Sequence, residues 1–325
     1  MNAILTKILI GINSLINDYG ISIIVFTLLV KLLILPLDYK SRKGMRKTQL
    51  IQPEMQRLQK KYANDKEKLN QKVAELYRKE GVSPMSGCLP MIVSMVILWC
   101  MWGALRNVAN TEMANQCIEL ITTGTAEFKG FLWIKNIWMP DSPFTSVIAN
   151  QNSLAMVNPD IWQQVYATLN PDQLAALAAH GITDAAAMTG ENILAALQSL
   201  PIYAEQTQLW SFMPVVNLLI TQLPIYANNN GWFILPVLSA VTQYLMTLTQ
   251  PQQAAANGQN NGSGQFMKYF FPLFSLWICA SQNALFSLYW VISNLFAWIQ
   301  SIILNKVFEN MEKKEKATNK EENLK

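Results

Sequence analysis

Seventeen residues from Ile21 to Leu37 form a run apolar enough to enter a bilayer, and comparable runs recur along the chain. A helix needs about 20 residues to cross about 30 Å of hydrocarbon, so this repetition confines the fold to a set of membrane helices. Composition agrees: of 325 residues, 51% are hydrophobic and only 14% charged, against about 25% charged in soluble domains. The predicted fold class is an all-α polytopic membrane protein with a cytoplasmic helical hairpin and an extracytoplasmic helical insertion.

Five transmembrane helices are expected, at about 19–39, 87–106, 232–249, 266–283 and 285–305, the last two joined by a very short turn near Ser281–Asn283. Cations set the orientation. Residues 40–84 hold 13 Lys/Arg against 5 Asp/Glu, residues 107–231 hold 2 against 9, and the tail 306–325 holds 6 Lys/Arg. The basic loop and tail are assigned to the cytoplasm, the acidic segment and the N-terminus to the outside of the cell membrane. The start of the chain lacks the basic cluster and small-residue cleavage site of a signal peptide. Over residues 1–18, Ile4, Leu5, Ile8, Leu9, Ile12, Leu15 and Ile16 recur opposite Asn2, Thr6, Lys7, Asn13 and Asn17. That spacing suits an interfacial amphipathic helix, and equally a helix packed on protein. The apolar stretch 212–227 is short and holds Pro214, Asn217, Gln222 and Pro224. As a sixth span it would turn the basic tail outward, so it is placed at the interface or outside the membrane.

The loop 40–84 predicts a basic antiparallel hairpin: Met55, Leu58 and Tyr62, then Leu69, Val73, Leu76 and Tyr77, show helical spacing around a turn at Asn64–Asp65. Its cations Arg42, Lys43, Arg46, Lys47, Arg57, Lys60 and Lys61 attract anionic lipid headgroups at about 1 kcal/mol each; a merely solvated charged face has the same composition. Outside, residues 107–231 carry an insertion at 140–231 in which "NPDQLAALAAHG" predicts a helix with an Asn cap and a Gly stop. Residues 250–265 are an uncharged, flexible cytoplasmic linker. Four scattered cysteines and the lone His180 suggest no disulfide framework, metal site or charge relay. No phosphate-binding loop is present, so neither a cofactor nor enzymatic chemistry is expected.

Four stretches, in order, carry a resemblance. "YGISIIVFTLLVKLLILPL", "PEMQRLQKKYANDKEKLNQKVAELYRKEGVSPMSGCLPMI", "FLWIKNIWMPDSP" and "FPLFSLWICASQNALFSLYWVISNLFAWIQ" together resemble the YidC-type membrane protein insertases of the YidC/Oxa/Alb superfamily, in the five-span form of Gram-positive type. The resemblance implies an insertase or chaperone that moves short hydrophilic segments of client proteins across the bilayer and releases client helices into lipid. It implies nascent membrane proteins as clients, with the ribosome, the signal recognition particle receptor and the Sec translocon as partners, and no sequence-specific nucleic-acid binding. This chain departs from the family pattern in having Lys31 where arginine is usual and Ser94 where some relatives have glutamine. Its outer insertion sits where relatives of this branch often have a short connection, and the large N-terminal periplasmic domain of two-membrane relatives is expected to be absent.

A cation inside a span costs at least about 2.5–3.5 kcal/mol in lipid, so Lys31 needs water or a partner. Its side chain either snorkels to the cytoplasmic interface or projects into a hydrated recess between spans. The candidate client-binding groove is Lys31, Thr27 (four residues earlier on the same face), Ser94 and Gln243, with Trp290 matching a family tryptophan that helps shape the groove; interfacial anchoring or packing explains Trp290 as well. Two other functions fit an intramembrane cation or a polytopic bundle: a small-solute (anion) transporter or channel, and a structural scaffold of a membrane complex.

Overall fold

The computed structural model describes residues 2–81, 89–217, 222–249 and 262–322. Helices α1 (Asn2–Ile16) and α2 (Tyr19–Leu50) open the chain, followed by α3 (Gln52–Lys61) and α4 (Lys66–Lys79). The long α5 (Leu89–Thr123) leads to short helices α6 (Gln151–Ala155), α7 (Pro159–Tyr166), α8 (Pro171–Ala179), α9 (Gly190–Gln198) and α10 (Pro201–Gln206). An antiparallel ribbon of β1 (Val215–Asn217) and β2 (Gln222–Pro224) pairs Val216 with Leu223. Three helices close the chain: α11 (Ile234–Thr249), α12 (Gly262–Ser281) and α13 (Ala284–Glu322).

Among the described residues, the ribbon is the departure from an all-helical reading. Val215 and Val216 are β-branched, and Pro214 and Pro224 interrupt helical hydrogen bonding, so this part of the stretch 212–227 is extended. Among the described residues, two helices are long and apolar enough to cross a membrane, Tyr19–Leu50 and Ala284–Lys314. Shorter apolar helices occupy Asn2–Ile16, Ile234–Thr249 and Phe266–Ser281. The expected linker 250–265 lies outside the described residues as far as 261, and α12 starts at Gly262.

The chain divides into two compact units. The first comprises Met1–Phe26, Cys100–Ser239 and Ser275–Val291. Its entry is set by Asn17 and Asp18. Asn17 takes the left-handed conformation at φ 56° that ends α1, which Asn tolerates better than most residues; Asp18 then accepts the Ile21 N–H at 2.9 Å and caps α2. The core gathers Met101, Leu105, Ile118 and Leu120 of α5 with Ile137, Met139, Ile148 and Leu154, all fully buried. The short helices start where their sequences supply caps. Asn170 accepts the Gln173 N–H while the Gln173 side chain accepts the Asn170 N–H, a reciprocal cap, and Gly181 beyond α8 sits at φ 81°.

The second unit comprises Thr27–Trp99, Ala240–Phe274 and Ile292–Lys325. Here α2 continues to Leu50, and the break before α3 falls at Ile51, where Pro53 suits the first turn of a new helix. Helices α3 and α4 pack through Ile51, Met55 and Leu76, with Leu58, Val73 and Tyr77 around them. Asp65 accepts the Lys68 N–H at 3.0 Å and starts α4, and Gly81 follows its end at φ 61°.

Candidate functional site

Lys31 stands on α2 in the second unit. At 100° per residue, Thr27, Lys31, Asp38 and Arg42 fall on one side of that helix, while Leu29, Leu32 and Leu33 fall on the opposite side. The three leucines are exposed, Leu33 at 81%, and Thr27 is fully buried. A single helix thus presents an apolar face outward and a polar face inward. Among the described residues no carboxylate lies within 4.0 Å of the Lys31 amine. Asp38 and Arg42 follow on the same side of the helix, two and three turns further along.

Below Lys31 the polar face is tied to other helices of the same unit. Gln300 Nε2 of α13 donates to Asp38 Oδ2 at 3.3 Å, and Arg42 donates to Ser301 Oγ at 2.8 Å. Ser301 in turn donates to the Thr249 carbonyl at the end of α11 (2.8 Å), which also accepts from Asn305 at 3.0 Å. One helical step further, Arg46 Nε meets Glu312 at 2.8 Å. This ladder fastens α2, α11 and α13 side by side. Higher on α13, Asn294 is 7% exposed and its Nδ2 has no hydrogen-bond partner among the described residues. A buried amide without a partner costs about 1–3 kcal/mol unless water reaches it, so this face calls for water. Gln243 and Thr242 on α11 are each 8% exposed.

The seven cations read from the sequence separate into two kinds. Arg42 and Arg46 are half-buried and bonded to α13. Lys43 and Lys47 on α2, and Arg57, Lys60 and Lys61 around α3, are exposed, with Lys61 over the Tyr62 ring at 5.5 Å. Of the expected groove members, Lys31, Thr27 and Gln243 belong to this second unit. The side chain of Ser94 lies outside the described residues. Trp290 belongs to the first unit, where its Nε1 donates to Ser275 Oγ at 2.7 Å and its ring lies 5.6 Å from that of Phe286.

In the first unit the segment 131–147, of which the sequence reading used residues 131–143 only for the family resemblance, forms a hub. The fully buried Asp141 accepts the N–H groups of Trp232 (2.9 Å), Phe233 (3.2 Å) and Leu235 (2.6 Å) and the Trp133 indole N–H (3.2 Å). Helix starts leave such N–H groups without partners, and a carboxylate there also meets the favourable end of the helix dipole. Phe233 is held at φ 66° by this arrangement, a conformation that costs about 1–3 kcal/mol outside a supporting structure. The same segment caps α13, whose Ala284 and Leu285 N–H groups reach the Met139 and Ile137 carbonyls at 2.9 and 3.1 Å. Asn136 and Asn230 lock it in place. The Asn136 N–H donates to Asn230 Oδ1 at 2.7 Å, Asn230 Nδ2 returns to the Asn136 carbonyl at 2.8 Å, and Asn136 Nδ2 reaches Gln116 and Val147.

A family model described as 60Kd inner membrane protein matches residues 11–314. The chain belongs to that family. The match takes in α2 with Lys31, the 131–147 hub and all of the α11–α13 region that these residues bind. Among relatives of the family, the membrane protein insertase YidC of Clostridium perfringens is 40% identical over 128 residues, covering 39% of this chain and 47% of the relative. The Fusobacterium nucleatum protein of the same name is 46% identical over 92 residues, 28% of this chain and 45% of the relative. That of Chlorobaculum tepidum is 23% identical over 301 residues, 93% of this chain and 35% of the relative. The chain spans less than half the length of each of these relatives.

Proposed function

We propose that the chain is a membrane protein insertase that draws short hydrophilic segments of client proteins across the bilayer through a hydrated groove containing Lys31, then releases the client helix into lipid. The observation that carries this reading is the state of Lys31. It sits in an apolar helix, on the inward polar face, with no carboxylate within 4.0 Å among the described residues. A bare cation in hydrocarbon costs at least about 2.5–3.5 kcal/mol; water in a groove would lift that cost, and a wet cation would be a foothold for an acidic client segment. Membership of the 60Kd inner membrane protein family and the shared name of its relatives support the same reading.

In this proposal five helices span the cell membrane with the N-terminus outside and the C-terminus in the cytoplasm. The exposed Lys43, Lys47, Arg57, Lys60 and Lys61 face the anionic inner leaflet and receive clients from the ribosome, the signal recognition particle receptor or the Sec translocon. The ladder from Asp38 to Glu312 holds α2, α11 and α13 together near that side, so that the polar face stays open around Lys31. Ser94 and Trp290 are proposed as further residues that contact the client. Once the client's polar segment has crossed, burial of its apolar helix in lipid drives release, and no nucleotide is needed.

Reconstituted vesicles test this with a single-span client bearing an acidic outer segment. Lys31→Arg is expected to keep insertion near the parent level, and Lys31→Glu to lower it at least about tenfold, or ~1.4 kcal/mol, with a smaller loss for a neutral-tailed client. Equal insertion by the parent and both variants would overturn the role assigned to the charge.

A further inference from the structure

The ribbon in the outer insertion has a composition and an exposure that the insertase reading does not use. From Gln206 to Met267 the chain contains no Asp, Glu, Lys or Arg, although the preceding part of the insertion carries acids as late as Glu205. Within this neutral stretch, between Thr207 and Asn228, no described residue is buried. Large apolar side chains stand out of it: Phe212 is 86% exposed, Met213 47%, Trp210 43% and Leu209 40%, and the Trp210 and Phe212 rings lie 5.9 Å apart. A two-stranded hairpin is marginal by itself in water, and aromatic residues with one polar edge concentrate at membrane interfaces.

The base of the ribbon is nonetheless held firmly. Trp210 N–H donates to the Ile225 carbonyl at 2.8 Å and Ala227 N–H to the Gln208 carbonyl at 2.9 Å. Tyr226 N–H reaches the Pro143 carbonyl at 3.2 Å, and Asn230 N–H the Thr145 carbonyl at 2.8 Å. Those carbonyls belong to the segment whose Asp141 caps α11, so the ribbon is bolted to the start of an apolar helix only seven residues beyond Ala227. Trp232, at that helix start, is 63% exposed. A neutral ribbon with exposed aromatic side chains at its base is thus fixed beside the start of an apolar helix.

We infer that the described part of this ribbon, residues 208–217 and 222–227, is a lipid anchor, its Leu209, Trp210, Phe212 and Met213 side chains lying in the interfacial zone of the bilayer beside the entry of α11. Lipid is favoured over a protein partner because the stretch offers no charge with which to select one, and because its base is continuous with the apolar helix. The anchor rests on the proposed function for α11 entering the membrane and for the choice of the outer leaflet; lipid contact itself does not depend on insertase activity.

The test is an environment-sensitive fluorophore on Phe212→Cys in the full-length chain, with Cys88 and Cys100 replaced by Ser; Cys117 and Cys279 are buried. Phe212 is so exposed that the change leaves packing intact. A matched label on Gln163→Cys, exposed on α7, is the reference. In vesicles without any client, emission from position 212 is expected to shift to the blue and to lose most of its intensity to lipids carrying a nitroxide just below the headgroup, while position 163 is unaffected. A second label at Met213→Cys should behave like 212. Water-like emission at 212 and 213, unquenched by those lipids, would overturn the anchor. So would a label that lipid leaves untouched but an added client polypeptide shifts, which would make the ribbon a protein-docking edge.

Discussion

Asp141 offers the sharpest test of how the first unit is built, because one carboxylate holds four donors. Replacing it with alanine removes both acceptor oxygens from the Trp232, Phe233 and Leu235 N–H groups and the Trp133 indole. Losing a helix cap alone costs about 0.5–2 kcal/mol. Leu235 is 2% exposed, so its N–H stays buried without an acceptor, which adds about 1–3 kcal/mol. Phe233 also loses the contact that sustains its left-handed backbone, though release of that strain offsets part of the loss. The sum is about 3 kcal/mol, a large share of the 5–15 kcal/mol that stabilises a typical domain.

Native-state hydrogen exchange reads such a local loss directly. In detergent micelles, amides of residues 232–239 in Asp141→Ala are expected to exchange about a hundredfold faster than in the parent, since 1.4 kcal/mol is tenfold. Amides of α8 (Pro171–Ala179), which carries its own reciprocal cap, should hardly change. Asp141→Asn keeps one oxygen but turns an N–H₂ group toward two of the donors, so its exchange should fall between parent and alanine. Rates at 232–239 within about threefold of the parent, less than ~0.7 kcal/mol, would refute the capping role. An asparagine variant that exchanges faster than alanine would refute the arrangement of donors.

Two further outcomes follow from the same unit. A β-carbon at Gly231 would collide with Asp141 Oδ1, so Gly231→Ala is expected to raise exchange at 232–239 in the same direction as Asp141→Ala, and an unchanged profile would show that the loop can move aside. Burial pushes the Cys117 thiol, on the part of α5 beyond the proposed span, up to about 12, against about 8.5 in an unfolded chain. In the folded protein it therefore keeps its proton where the unfolded chain has lost it, so stability falls as pH rises above about 8.5. The check is alkylation of Cys117, followed by mass spectrometry of its peptide: negligible at pH 9 in the folded protein and rapid once the chain is unfolded.

What could be read from the sequence follows how far apart the deciding groups lie. The cap at Asn170 and the start of α4 at Asp65 were legible because cap and partner are three residues apart. Lys31 was singled out for a similar reason: the cost of a charge among Leu29, Leu32 and Leu33 is set within two turns of one helix. Asp141 gave no such signal, since its donors on the α11 side lie 91 to 94 residues away, and an isolated Asp before a Ser-Pro looks like an ordinary turn. Arg42 and Arg46 were counted with the cations that attract anionic lipid headgroups, yet their partners Ser301 and Glu312 are 259 and 266 residues distant. The ribbon was hidden differently. Its strands are three residues each, too short for alternation to register, and their pairing is set by bonds to Pro143 and Thr145 at the base.

The same distances bear on how the two units respond to mutation. Lys31 was chosen by a local rule, so its polar face depends on α2 first, and a change at Asp38 or Arg42 should disturb the ladder to α13 before it disturbs the helix. A surface ion pair such as Arg46–Glu312, with side chains 30% and 25% exposed, contributes about 0.2–1 kcal/mol, too little to hold three helices alone. The bonds that matter more are those whose loss strands a buried group, Gln300 on Asp38 and Ser301 on the Thr249 carbonyl. Both Gln300 and Ser301 are buried, so removing Asp38 leaves an amide without its acceptor at the foot of the face that carries Lys31. The foot of that face therefore depends more on a neutral glutamine and serine than on the Arg46–Glu312 pair.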